Sequence, residues 1–164
     1  MAVNPINFGA DKIPEALHRG SEDLPWARFC DGVQFQLLQV DVEAGLWVVR
    51  TIFEHGVTIQ QHKHTGEVYA VTFSGAWKYL EYPETINSAF SYLYEPAGSI
   101  HTLTTDITGV NGPTDIWFAI RGANLNLDSA GKVESIVDAG TILALYRDEC
   151  ERGGLPVPNT IGAD

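Results

Sequence analysis

From Val33 the hydrophobic and polar positions fall into short β-rich runs separated by turn formers. The runs are Val33–Val40, Leu46–Glu54, Val57–Gln61, Val68–Phe73, Trp77–Tyr82, Phe90–Glu95, His101–Thr105 and Asp115–Arg121. Val, Ile, Thr, Tyr, Phe and Trp dominate them, and Gly45, Gly56, Gly75, Gly98, Gly109 and Gly112 fall between or near their ends. Such residues suit pleated, half-buried strands, and glycines suit the turns that join them. Many short strands at this spacing predict an all-β barrel or sandwich. Near the end the period changes. After Asp138-Ala-Gly-Thr141, apolar Ile142, Leu143, Leu145 and Tyr146 give way to a charged run that Gly153-Gly154 and Pro156 stop. This predicts a helix of about three turns within 138–155. The first thirty residues, with Pro5, Pro14, Gly20 and Pro25, are broken by turn formers, apart from a short helical turn expected at Glu15-Ala-Leu-His18. Residues 1–32 are expected to form an arm on a barrel of residues 33–137.

A length of 164 residues favours one domain with a sizeable core. Apolar residues are spread along the chain, without a run long enough to span a bilayer. The start, Met1-Ala-Val-Asn-Pro, shows no basic segment followed by a long apolar one, so a cytoplasmic location is expected. Ten basic against 21 acidic residues give a net charge of −11, which repels phosphates and anionic lipid. Neither nucleic acid nor a membrane is therefore expected as a partner. Cys30 and Cys150 match no CxxC or zinc-ribbon spacing and read as reduced thiols.

Three of the five histidines fall into one pattern. Gly56-Val-Thr-Ile-Gln-Gln-His62-Lys-His64 is followed by Gly75 and then by Pro96-Ala-Gly98-Ser-Ile-His101. In an extended strand, residues two apart face the same way, so His62 and His64 can present two imidazoles to one point. A third imidazole, from His101 on another strand, closes a triad. Three neutral nitrogen donors with positions left open suit a divalent transition metal that also binds substrate or dioxygen. A lone strand histidine is more often hydrogen-bonded or at the surface, and His18 and His55 are read that way.

This spacing resembles the two signature motifs of the cupin superfamily, whose fold is a double-stranded β-helix, or jelly-roll barrel. Further segments extend the likeness: Leu24-Pro-Trp-Ala-Arg, Asp31-Gly-Val, His62-Lys-His-Thr-Gly66, Gly75-Ala-Trp-Lys-Tyr-Leu-Glu81, and Tyr94-Glu-Pro-Ala-Gly-Ser-Ile-His-Thr-Leu103. Together with the terminal helix they look like the small cupins of the 2,4'-dihydroxyacetophenone dioxygenase and acetylacetone dioxygenase group. The resemblance implies non-haem iron(II) held by His62, His64 and His101, with Zn, Ni or Mn able to take its place in purified protein. It also implies a ketone substrate, a β-diketone or an aromatic hydroxyketone, whose C–C bond is cleaved with O2. The superfamily's fourth ligand is a Glu three or four residues beyond the second His. Here Glu67 follows too soon and faces the metal only if Thr65-Gly66 bulges. Two smaller departures are Phe90, near a position the superfamily gives to Gly, and Thr105, where Asn is frequent.

Two further carboxylates are candidates for the chemistry. Glu95 matches a carboxylate that lies behind the ligands in the acetylacetone-cleaving relatives and would orient a ligand or water. Glu81 alternates with Trp77 and Tyr79, so all three are expected to share a strand face, either the pocket's or the outer one. Tyr69, Phe73, Trp77, Tyr79, Trp117 and Phe118 would suit a pocket for an apolar ketone or, equally, a packed core. No cluster of Arg and Lys lies near the triad, which weakens a sugar-phosphate substrate. Two alternatives stand beside the dioxygenase: a non-enzymatic zinc-binding sensor related to anti-sigma cupins, and a zinc or manganese hydrolase or isomerase with Glu67 as a firm ligand. A homodimer through barrel edges or terminal segments is expected.

Overall fold

The structure, a computed structural model, describes residues 15–163. It contains thirteen short strands and one helix: β1 (Ala27–Cys30), β2 (Val33–Asp41), β3 (Leu46–Phe53), β4 (His62–His64), β5 (Val68–Ser74), β6 (Ala76–Tyr79), β7 (Asn87–Ser88), β8 (Tyr92–Glu95), β9 (Ile100–His101), β10 (Leu103–Thr104), β11 (Thr114–Arg121), β12 (Asn124–Leu127), β13 (Val133–Val137) and α1 (Ala139–Arg152). One sheet has six strands in the order β1-β2-β3-β11-β5-β8, and two smaller sheets run β10-β6-β7 and β13-β12-β4-β9. All strand pairs within them are antiparallel. Side chains of the large sheet and of the small sheets line one internal cavity. This is the expected all-β jelly roll with a C-terminal helix.

Strand alternation builds the core. Along β11, Thr114, Ile116, Phe118 and Ile120 are buried while Asp115, Trp117 and Ala119 are only half-buried on the other face. Ile116, Phe118 and Ile120 join Phe35, Leu37, Val49, Phe53, Val68, Trp77 and Leu103 in one apolar cluster. Full burial of such side chains stabilises by about 1.5–3 kcal/mol each, so the large sheet supplies most of the driving force. Gly75, at φ +75°, makes the turn between β5 and β6; a Cβ there would meet Thr114 Oγ1 at 2.5 Å, which explains a glycine at the end of the first motif.

Helix α1 begins at a capping box: the Asp138 carboxylate accepts from Thr141 N at 2.8 Å, and Thr141 Oγ1 accepts from Asp138 N at 2.7 Å. Its buried face carries Ala139, Ile142, Tyr146 and Cys150. Tyr146 packs against Phe35 with ring centroids 5.0 Å apart, and its hydroxyl donates to the Pro25 carbonyl at 2.6 Å. Among the described residues no helix is long and apolar enough to cross a membrane.

Several local expectations are corrected. Glu15–His18 is exposed and non-helical, while residues 1–14 lie outside the described residues. Val57–Gln61 forms only an irregular edge, tied to Leu103 and Thr105 by backbone hydrogen bonds, and regular pairing starts at His62. The strand from Trp77 ends at Tyr79, because Tyr82 N bonds back to the Tyr79 carbonyl and turns the chain. β8 starts at Tyr92, since Phe90 has φ +67° and cannot continue a strand.

Candidate metal centre

β4 is three residues long and buries both of its histidines while Lys63 stays exposed, as alternation requires. His62 lies opposite His101 of β9, so the third imidazole arrives from the adjacent strand. The three ring centroids are 4.8, 4.9 and 5.0 Å apart, and one nitrogen from each ring falls within 4.8 Å of the others. His62 Nδ1–H donates to the Gln60 carbonyl at 2.9 Å, which fixes the tautomer and leaves Nε2 as an acceptor. Burial pushes the His62 pKa down to about 4, so the ring is a neutral donor at ordinary pH.

Glu95, at the end of β8, reaches this cluster from the large sheet. Its Oε2 lies 2.9 Å from His64 Nε2 and 3.1 Å from His101 Nε2, and the residue is only 3 % exposed. Burial alone pushes its carboxyl up, but the His101 and His64 rings outweigh that and hold it well below the usual carboxylate range. Its other oxygen accepts a hydrogen bond from the Tyr79 hydroxyl. Burial, and the neighbouring Glu95 charge, raise the Tyr79 pKa well above its ordinary value, so the phenol keeps its proton and donates.

The other candidates are placed elsewhere. Glu67 does not join the triad: its side chain turns to Arg121, Oε1 3.3 Å from Nε, and its carbonyl accepts from Arg121 N. The reason is local, because at Gly66 the backbone runs against the Arg121 carbonyl so closely that no Cβ fits. Glu81 is also outside the site. The turn after Tyr79 breaks the alternation, and Glu81 lies exposed, accepting from Gln61 and from both the backbone and hydroxyl of Thr102. Tyr79 and Phe118 line the cavity, Trp77 is packed in the core, and Tyr69, Phe73 and Trp117 point to the outer face of the large sheet.

His62, His64 and Glu95 of this cluster line a cavity of about 290 Å³. Phe35, Trp47, Val49, Phe118 and Ile120 make its apolar surface, and no Lys or Arg lines it among the described residues. Its polar lining includes Asn124 and Asn126 of β12, register partners of His64 and His62. Sequence reasoning missed both, although Asn-Leu-Asn-Leu does carry the period of two that marks a strand. Asn124 Oδ1 is buried without a partner.

His64 Nδ1, His101 Nε2 and Glu95 Oε2 are likewise buried without a hydrogen-bond partner. Orphaned polar atoms this deep cost about 1–3 kcal/mol each, a penalty that an ion shared by His101 Nε2 and Glu95 Oε2 would remove for those two. The imidazole donor set suits a divalent transition ion. The buried group could therefore bind a metal.

Residues 15–111, more than half the chain, match the family model described as the ChrR cupin-like domain. The chain belongs to that cupin family. Among solved structures, this cupin is similar to a protein of unknown function with a cupin-like fold from Ralstonia eutropha JMP134. The two share 36% identity over 75% of each chain, with a TM-score of 0.72. An RmlC-like cupin from the same organism is 22% identical over 88% of this chain and 93% of its own, with a TM-score of 0.80. An acetylacetone dioxygenase from Acinetobacter johnsonii is 16% identical over 84% of this chain and 94% of its own, with a TM-score of 0.71. These last two likenesses show the shared fold. A search of the curated proteins finds no significant match.

Proposed function

We propose that this cupin is a metal-dependent dioxygenase that cleaves a C–C bond of a small β-diketone or aromatic hydroxyketone, with iron(II) as the working ion. The observation that carries the reading is the three-histidine cluster, two of whose rings line a largely apolar cavity that has no Lys or Arg in its wall among the described residues. Such a cavity suits a small, neutral, largely apolar molecule rather than a phosphate ester. The fold shared with an acetylacetone dioxygenase supports the reaction class. When bound by His62, His64 and His101, the metal supplies a Lewis acid that favours the enolate of a chelating ketone, together with a redox partner for O2.

The protein's own groups provide the rest. Phe35, Val49, Phe118 and Ile120 give the cavity an apolar wall that favours an apolar substrate over water. Asn124 offers an acceptor for a substrate hydroxyl. Glu95, kept ionised and anchored by Tyr79, sets the charge beside His64 and His101. Both oxygen atoms enter the two fragments, so no external reductant is required.

A second reading, a non-enzymatic zinc-binding sensor, is favoured by the family match itself. Oxygen uptake separates the two. Anaerobically iron(II)-loaded protein should consume O2 when given acetylacetone or 2,4'-dihydroxyacetophenone, and His101→Ala should not. An iron-loaded protein that consumes no O2 with either compound sinks the dioxygenase and leaves the sensor.

A further inference from the structure

The superfamily position for a fourth ligand is vacated, because Glu67 is engaged by Arg121 at the barrel edge. A different carboxylate stands at the centre. We propose that Glu95 is a direct ligand, making this a three-histidine, one-glutamate centre whose carboxylate comes from β8 rather than from the segment after His64. The inference rests on the metal-binding reading of the triad, and not on the dioxygenase chemistry.

Geometry separates ligation from simple hydrogen bonding. Glu95 Oε2 is at hydrogen-bond distance from two ring nitrogens, 2.9 and 3.1 Å, yet neither contact has hydrogen-bond alignment, and Oε2 and His101 Nε2 both remain without partners. Close approach without alignment is what donor atoms show when they aim at a common third point. Two atoms each ~2.1 Å from one ion, at angles of roughly 90–110°, lie ~3.0–3.4 Å apart. The observed separations lie just below that range, at 2.9 Å, and at its short end, at 3.1 Å. Were Glu95 only an acceptor for both rings, both Nε2 atoms would need protons, which would remove them as metal donors.

Tyr79 makes the assignment specific. Its hydroxyl occupies Oε1 and leaves Oε2 as the single free oxygen, turned toward the imidazoles. Its ring also stacks on His101, with centroids 3.8 Å apart and planes at 14°. One side chain thus positions both a carboxylate and an imidazole. A one-oxygen carboxylate leaves room at the ion for a chelating substrate.

The test uses metal-free full-length protein titrated with Co(II), whose visible absorption reports the ligand set, and compares it with Glu95→Gln. The expected result is a changed Co(II) spectrum and an affinity lower by more than the ~10–100-fold typical of groups that merely orient a ligand. A Glu95→Gln spectrum superimposable on the parent overturns the proposal while leaving the metal site intact. Absence of Co(II) binding to the parent protein overturns the metal reading itself. A second measurement needs no variant. Zn(II)-minus-metal-free infrared difference spectra should show a shifted carboxylate stretch, and a spectrum with no moving carboxylate band also overturns ligation.

Discussion

Tyr79 lies flat on His101, ring centroids 3.8 Å apart and planes 14° from parallel, while its hydroxyl is spent on Glu95. The phenol therefore couples β6 of one small sheet to β9 of the other and to β8 of the large one. The three histidines share one small sheet, Glu95 reaches them from the large one, and Tyr79 links the two.

Removing that hydroxyl should loosen the carboxylate without disturbing the ring stack. Tyr79→Phe is expected to fold, to lose about 1.5–3 kcal/mol of stability from the charge-assisted hydrogen bond, and to bind metal ~10-fold more weakly. Urea denaturation and chelator competition measure the two effects. Tyr79→Ala, which also removes the stack, should lose more of both. Equal losses in the two variants would show that the hydroxyl alone matters.

Metal should stabilise the fold, because the donors converge only when β4 and β9 are paired. At a free metal concentration 100-fold above Kd, binding adds about 2.7 kcal/mol. For a domain of this size that raises Tm by about 5–10 °C. Calorimetry with and without a chelator should show this shift, and His101→Ala should abolish it.

Much of this was legible from residue spacing, and the misses have local causes. His62 and His64 could be assigned to one face because alternation holds across three residues of strand, and it does. Glu81 could not, since the same rule was carried through a turn that only the Tyr82-to-Tyr79 hydrogen bond reveals. The strand β12 escaped notice because Asn is a poor strand former, and its place is secured by pairing with β4 and β13. Glu95 was visible as a candidate, but its approach to both rings depends on β8 pairing with β5 in register, a non-local fact.

Phe90 carries a strain that can be relieved. It is the non-glycine residue with positive φ among those described, and its side chain is 88 % exposed, so packing returns little for the left-handed backbone. That conformation costs an ordinary residue about 1–2 kcal/mol, partly offset by the greater freedom glycine has when unfolded. Phe90→Gly should therefore raise stability by about 0.5–1 kcal/mol, read from the urea midpoint at unchanged slope.

Glu67 supplies the complementary control. Its partner Arg121 is half-exposed, and exposed ion pairs of this kind contribute about 0–1 kcal/mol. Glu67→Gln should change stability by less than about 0.5 kcal/mol and leave metal affinity and the Co(II) spectrum as in the parent. The hydrolase or isomerase alternative requires Glu67 to ligate and predicts the reverse: weakened metal and an altered spectrum. Carried out beside Glu95→Gln, this titration decides from which strand the centre takes its carboxylate. If Glu67→Gln rather than Glu95→Gln perturbs the metal, the segment after His64 must rearrange on loading, breaking the Arg121 pairing that now holds it away.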